Sequence, residues 1–303
     1  FMCLSNLQAW ATGSSEKAVY DLIERVTPGY ASQYRLEIIS SENGNDIYEV
    51  DGDGQKIILR GNNAVSLATA FNWYLKYTCH AHVSWFGNQL ELPAKLPQPA
   101  HKERRIINGK FRVYMNYCTV SYTAAWWNWE RWQQELDYMA MNAINMPLFS
   151  VGLDGVWYNT LLRFNFTEEE ARAFLTGPGH SAWQWMQNIQ SYGGPLPKSV
   201  IDKHVALGKK ILARQLELGM QPIQQGFSGY VPRELQKKYP QAKISMKRKW
   251  CGFDGTAQLD PTDPLFHEMG LAFLEEQDKL FGSYGAYAAD PFHESAPPVD
   301  TPE

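Results

Sequence analysis

Between Lys110 and Asp290, four short apolar runs are each separated from the next by helix-patterned sequence, and this alternation restricts the possible folds more than any other feature. The runs are "KFRVYMNY" (Lys110 to Tyr117), "AINMPLFS" (Ala143 to Ser150), "MQPIQQ" (Met220 to Gln225) and "AYAAD" (Ala286 to Asp290). Between the first two, Trp129, Trp132, Leu136, Met139 and Ala143 fall on one helical face. Between the second and third, "FTEEEARAFL" opens with Thr167 and has Glu170 three residues later, the arrangement of a capping box. A long helix over roughly residues 199–218 is then stopped by Gly219. Pro232 is read as the first turn of a helix over "PRELQKKY", and Asp263 and Pro264 as the start of the helix "PLFHEMGLAFLEEQDKLFG". Strands separated by helices pair in parallel through right-handed crossovers. An open doubly wound sheet and a (β/α)8 barrel both satisfy that pattern, the barrel requiring four further units.

The first hundred residues read differently. A helix over "SEKAVYDLIERV" (Ser15 to Val26) precedes strands at "YRLEIIS", "DIYEV" and "QKIILRG", the last two joined through the turn sequence "DGDG". A helix at "NAVSLATAFNWYLKYT" and a strand at "HVSWF" (His82 to Phe86) follow. The proline-rich, charged stretch "LPAKLPQPAHKERR" (Leu92 to Arg105) has the composition of an exposed crossover, which puts the domain boundary near residue 105. The expected organisation is a small α/β domain over residues 1–105 and a strand–helix domain over residues 106–303.

Composition narrows function less sharply. A net charge of -4 without Lys/Arg blocks argues against nucleic acid or an anionic membrane as partner. No apolar run approaches the 18 or so residues of a membrane span. The 11 Trp, 16 Tyr and 14 Phe offer stacking faces for sugar C–H surfaces, although such residues also fill cores. Cys3, Cys79, Cys118 and Cys251 form no CxxC pair, which argues against a zinc site or a thioredoxin-like redox motif, and disulfide pairing is left open; no metal or cofactor is expected. The opening "FMCLSNLQA" reads either as the tail of a signal peptide or as a first helical turn. "NFT" at Asn165 to Thr167 matches the N-glycosylation pattern. The glycine-containing loops have no dinucleotide or phosphate-loop form, and there is no GxSxG elbow.

In parallel α/β folds the polar residues at the C-terminal ends of the strands share one face, and chemistry is sought there. The candidates are Asn116, Tyr117 and Cys118 after the first strand and Asp154 with Trp157 after the second. "GFSGYVP" follows the third strand, and Asp290, His293 and Glu294 follow the fourth. A carboxylic acid at a strand end, ringed by aromatic residues and away from Lys or Arg, is expected to be held protonated by desolvation and to serve as a proton donor. Glu294 fits best; a purely structural cap for the loop is the competing reading.

The block "NYCTVSYTAAWWNWERWQQELDYMAMNAINMPL" (Asn116 to Leu148) resembles the α-N-acetylglucosaminidases, glycoside hydrolase family 89. "CHAHVSWFGNQLELP", "FLTGPGHSAWQWMQN", "YGGPLP", "GFSGYVP", "LDPTDPLF" and "DPFHESAPP" are similar to further blocks of that family, in its order. The resemblance implies a small N-terminal α/β domain followed by the first half of a (β/α)8 TIM barrel. It implies retaining hydrolysis of terminal, non-reducing α-linked N-acetylglucosamine from a glycan, in a lysosomal, periplasmic or secreted setting. The general acid/base maps onto Glu294 and the substrate-binding residues onto Asn116, Cys118, Trp183, Met186 and His293, the last orienting the acid or the sugar. Where human-type members have Gln-Glu after the second strand, this chain has Leu153 and Asp154, a shorter carboxylate expected to alter hydroxyl recognition. The family's nucleophilic glutamate comes from a late barrel strand, so the 303 residues by themselves are expected to lack it and to be inactive. The alternative is a carbohydrate-binding module that does not cleave.

Overall fold

A computed structural model of the protein describes residues 12–295, and the segment read as signal peptide or first turn lies outside them. The chain forms two compact units. The first holds the described residues up to Tyr114 together with Glu130–Pro147 and Ala213–Gln221. The second holds Met115–Trp129, Leu148–Leu212 and the residues from Pro222 onward.

The first unit begins with helix α1 (Thr12–Val26), strands β1 (Tyr34–Ile38), β2 (Asp46–Gly52) and β3 (Ile57–Gly61), and helix α2 (Ala64–Tyr77). Strand β4 (Glu103–Ile107) completes a sheet of order β1-β3-β2-β4, parallel between β1 and β3 and antiparallel elsewhere. Period-two alternation gives this sheet two unlike faces. Val50, Ile57 and Leu59 are buried with Leu22 of α1 and Phe71 and Tyr74 of α2. Arg60, meanwhile, reaches Glu37, Glu49 and Asp51, and Arg104 reaches Glu49. Asn63 starts α2 by accepting from the Ser66 amide at 2.8 Å.

Two sequence expectations fail in this unit. His82–Phe86 is not a strand: His82 only bridges Gln89, the loop closes on itself through Ser84 Oγ donating to Gly87 O, and the Phe86 ring is left fully exposed. The stretch read as a free crossover is bound to the unit. Tyr30, Gln33 and Tyr74 donate to the carbonyls of Leu92, Ala94 and Pro97, and Leu96 is buried. Its last residues enter β4, whose charged side chains hid the strand because an edge strand carries charge without penalty.

Next come β5 (Val113–Tyr114), α3 (Tyr117–Tyr122), α4 (Trp129–Met141), β6 (Met146–Pro147), α5 (Leu153–Arg163), α6 (Glu168–Phe174), α7 (Ser181–Trp185) and α8 (Lys198–Glu217). The chain continues through β7 (Gln224–Gln225), β8 (Tyr230–Val231), α9 (Leu235–Lys238), β9 (Ile244–Met246), β10 (Ala257–Leu259), α10 (Pro264–Phe281) and β11 (Tyr287–Ala288). Strands β5 and β6 pair in parallel, Leu148 just after β6 bridges in parallel to Ile223 just before β7, and β7 pairs in parallel with β11. Taken in chain order these parallel contacts follow the succession expected of half a (β/α)8 barrel, although the β5–β6 and β7–β11 ladders are each two residues long and Leu148–Ile223 is a single bridge. The Thr167–Glu170 capping box forms in both directions, and α8 runs into Gly219 at φ 72° as read. Pro232, read as the first turn of a helix over "PRELQKKY", instead precedes a single helical turn, α9, that begins at Leu235.

Helix α5 and an antiparallel sheet of order β8-β10-β9, inserted before α10, were not anticipated. Much of the aromatic surplus is core. Trp157 of α5 is buried, with ring centroids of Phe273, Phe174, Tyr230 and Phe227 between 5.0 and 6.2 Å away.

Candidate active site

The turn after β11 carries the chemistry-bearing residues, and the sheet ladder fixes where it begins. Gly226 N donates to Ala288 O at 2.8 Å, and Gln277 of α10 ties the Gln225 carbonyl from below. The chain leaves the strand through Asp290 and Pro291 and turns, with Ser295 N donating to Phe292 O, so that Glu294 adopts φ 50°. Left-handed backbone is costly for a residue with a Cβ and persists only where neighbours impose it.

Those neighbours are identifiable. Asn188 Nδ2 donates to His293 O at 2.8 Å, and Lys247 Nζ donates to Pro291 O at 2.6 Å. Trp250 Nε1 donates to Glu294 Oε2 at 2.9 Å. Asp290 Oδ2 lies 2.7 Å from His293 Nδ1, which places the other ring nitrogen of His293 3.9 Å from Glu294 Oε1. Asp290 thus orients His293, and His293 faces the acid.

Trp183 of α7 adds the aromatic wall: its ring centroid is 4.5 Å from that of Trp250, 5.9 Å from His293 and 6.2 Å from Tyr122. Helix α7 is held on α3 by Ser121 Oγ, which accepts from Ala182 N at 2.6 Å. Asn116 caps α3, its Oδ1 accepting from the amide and hydroxyl of Thr119 at 2.8 and 3.0 Å. Its amide nitrogen makes no hydrogen bond among the described residues. Cys118, two residues on, is a half-buried free thiol. Tyr117 between them is buried against Gln225, and burial together with the Asp290 charge pushes its phenol above the ordinary range. Met186, which closes α7, is buried in the core.

The setting of the acid departs from expectation in two respects. The Glu294 side chain is 55% exposed, so the desolvated environment read from the sequence is absent around it. A cation is also near: Lys247 has its amine pushed down to about 8 by burial, an effect that Asp290 opposes, and it sits 5.4 Å over the Phe292 ring. Asp154 does not face this turn as a free carboxylate. It lies buried in the first turn of α5, 2.6 Å from His204 Nδ1 of α8, and Leu153 beside it is also buried. The contrast with a Gln-Glu pair therefore concerns helix packing in this chain. Among the described residues no three His, Cys, Asp or Glu side chains converge to hold a metal ion.

Trp250 and Lys247 escaped the sequence reading because they lie in an insertion between barrel strands, 44 residues from the groups they touch. The available signal was "KRKWCGFDG", a Cys-Gly turn flanked by aromatic residues. Cys251 and Gly252, at φ 47° and 86°, form that turn.

The site is thus a carboxylate turn beyond β11, set beside the paired rings of Trp183 and Trp250. The sequence model of the α-N-acetylglucosaminidase TIM-barrel domain matches residues 112–303, that of the N-terminal domain matches residues 17–98, and the chain belongs to the α-N-acetylglucosaminidase family. It is 34% identical over 294 residues to the human α-N-acetylglucosaminidase, covering 94% of this chain and 40% of that protein. A family 89 glycoside hydrolase from Clostridium perfringens, solved with 2-acetamido-1,2-dideoxynojirimycin, superposes with a TM-score of 0.92 at 33% identity. That match covers 97% of this chain and 34% of the other. A variant of the Clostridium perfringens enzyme with two glutamates replaced by glutamine, solved with its substrate GlcNAc-α-1,4-galactose, superposes equally well. The chain thus spans about two-fifths or less of the length of these relatives.

Proposed function

We propose that the protein hydrolyses terminal, non-reducing α-linked N-acetylglucosamine with retention, and that Glu294 is its general acid/base. The observation that supports this most is the convergence of Glu294, His293, Trp183 and Trp250 at the end of β11 in a chain of this family. Glu294 would protonate the departing glycosidic oxygen and later deprotonate the attacking water. Asn116, Cys118 and Trp183 would bind the sugar, with Met186 supporting the helix that presents Trp183 and His293 orienting the acid. The exposure of Glu294 is compatible with this role, because a sugar lying against Trp183 removes water at the moment protonation is needed.

The second carboxylate of a retaining mechanism stands about 5 to 5.5 Å from the first. By family resemblance we propose that a late barrel strand supplies it. The glycan partner and an extracytoplasmic setting follow from the same reading. No helix among the described residues is long and apolar enough to cross a membrane.

The test uses the full-length protein with GlcNAc-α-1,4-galactose and an aryl α-N-acetylglucosaminide. Glu294→Gln should lower turnover of the disaccharide by roughly 10²- to 10⁴-fold and that of the aryl substrate far less, since an activated leaving group needs little acid help. Wild-type turnover of the disaccharide by Glu294→Gln would overturn the assignment. Turnover by the 303-residue chain alone would overturn the placement of the nucleophile.

A further inference from the structure

The insertion between β8 and α10 reaches back to the acid's turn with two hydrogen-bond donors. Lys247, just after β9, contacts the turn at Pro291 O, at 2.6 Å, three residues before the acid. Trp250, at the hairpin tip, contacts Glu294 Oε2, at 2.9 Å. The hairpin is itself anchored. Thr256 Oγ1 donates to Gln187 O at 2.6 Å, Lys247 Nζ lies 3.3 Å from Gln187 Oε1, and Lys247 N donates to Thr256 O at 2.8 Å. Gln187 is two residues from the end of α7, the helix that presents Trp183. One short segment therefore ties the acid's turn to the helix of the aromatic wall.

Donor chemistry adds a second consequence. An indole nitrogen carries a hydrogen and has no lone pair to accept with, so Oε2 of Glu294 must be the accepting oxygen. Because the carbonyl oxygen accepts more strongly than the hydroxyl oxygen, this bond favours the neutral acid with its proton on Oε1, the oxygen on the His293 side. We infer that the Lys247–Trp250 segment is the positioning device of the reaction: Lys247 fixes the turn, and the Trp250 N–H selects which oxygen of Glu294 carries the transferable proton. This inference rests on the proposed role of Glu294 and extends it to two residues that reach the acid's turn from the β9–β10 hairpin.

The role is distinguishable from mere packing. Trp250→Phe keeps an aromatic ring beside Trp183 but removes the donor, and Lys247→Met keeps the side-chain length but removes the ammonium. In the full-length protein both should leave KM for GlcNAc-α-1,4-galactose within about twofold and lower kcat by roughly 10-fold or more, the net worth of one hydrogen bond to a charged group. Across a series of aryl α-N-acetylglucosaminides, the loss should grow as the leaving group becomes more basic and nearly vanish for the most activated member. Loss of packing alone would lower kcat equally for every leaving group, and that result, or unchanged kinetics, would overturn the inference. Glu294→Gln measured on the same series separates the two claims. If it has no dependence on the leaving group, the acid assignment itself fails. If it has the dependence and Trp250→Phe and Lys247→Met do not, only the positioning role fails.

Discussion

Asp154 and His204 illustrate how one buried contact converts into pH-dependent stability. The pair joins the first turn of α5 to α8, with 7% of the aspartate side chain and 25% of the histidine side chain exposed. Burial works against a charged imidazole, but the hydrogen bond and charge of Asp154 outweigh it and hold His204 above its ordinary value. A raised folded-state value means the stabilisation is fully present below the unfolded histidine value of about 6.5 and is lost as pH rises through the folded one. Asp154→Asn should therefore lower the unfolding midpoint most at pH 6, with the gap to wild type narrowing steadily toward pH 9. Thermal or urea unfolding at several pH values checks this, and a gap of constant size would show that the pair is not an ion pair. Nothing in the sequence marked these two residues as partners. They are 50 positions apart, and only the packing of two helices brings them together.

At the scale of elements, legibility followed how local the determining interaction is. The α6 capping box was readable because its donor and acceptor are three residues apart, and the end of α8 because Gly219 acts through its own backbone. Strand β4 was not readable, because its identity depends on Tyr48 and Glu49 pairing with Arg105 and Arg104. The site divides the same way. Glu294 and His293 are adjacent in one motif, while the Trp250 that binds Glu294 comes from the β9–β10 hairpin. That hairpin depends on one glycine. A Cβ on Gly255 would lie 1.7 Å from Lys247 O, a contact with backbone that no side-chain rotation can relieve. Gly255→Ala should force the two strands apart, cost about 1–3 kcal/mol in global or local stability, and loosen Lys247 from Pro291. Amide exchange across residues 244–259 measures this directly: protection equal to wild type would mean that the hairpin tolerates the added methyl group.

At the scale of the whole chain, the compact units do not follow the order of the sequence. Residues 130–147 and 213–221 belong with the N-terminal sheet, although the TIM-barrel domain model includes them. Side chains explain why. Arg25 of α1 grips Asp137 of α4 through two hydrogen bonds, at 2.8 and 2.7 Å, and Asp137 is 4% exposed. Asn72 of α2 donates to Met141 O at 2.7 Å. Arg112 donates to Ala143 O and pairs with Asp46 of β2. A chain shortened to residues 112–303 would leave Asp137 without Arg25 and bare the α4 face packed in the first unit. Breaking a buried ion pair from one side costs about 3–5 kcal/mol, a large share of the stability of a typical domain. Arg214, 3.9 Å from Asp137, keeps part of that charge compensated, so Arg25→Ala in the intact chain should destabilise by less than that, about 1–3 kcal/mol. The shortened chain should bind a hydrophobic dye and show little amide protection over residues 130–147. Native-like protection there would mean that α4 holds its place without α1 and α2, and that the barrel half folds independently of the N-terminal sheet.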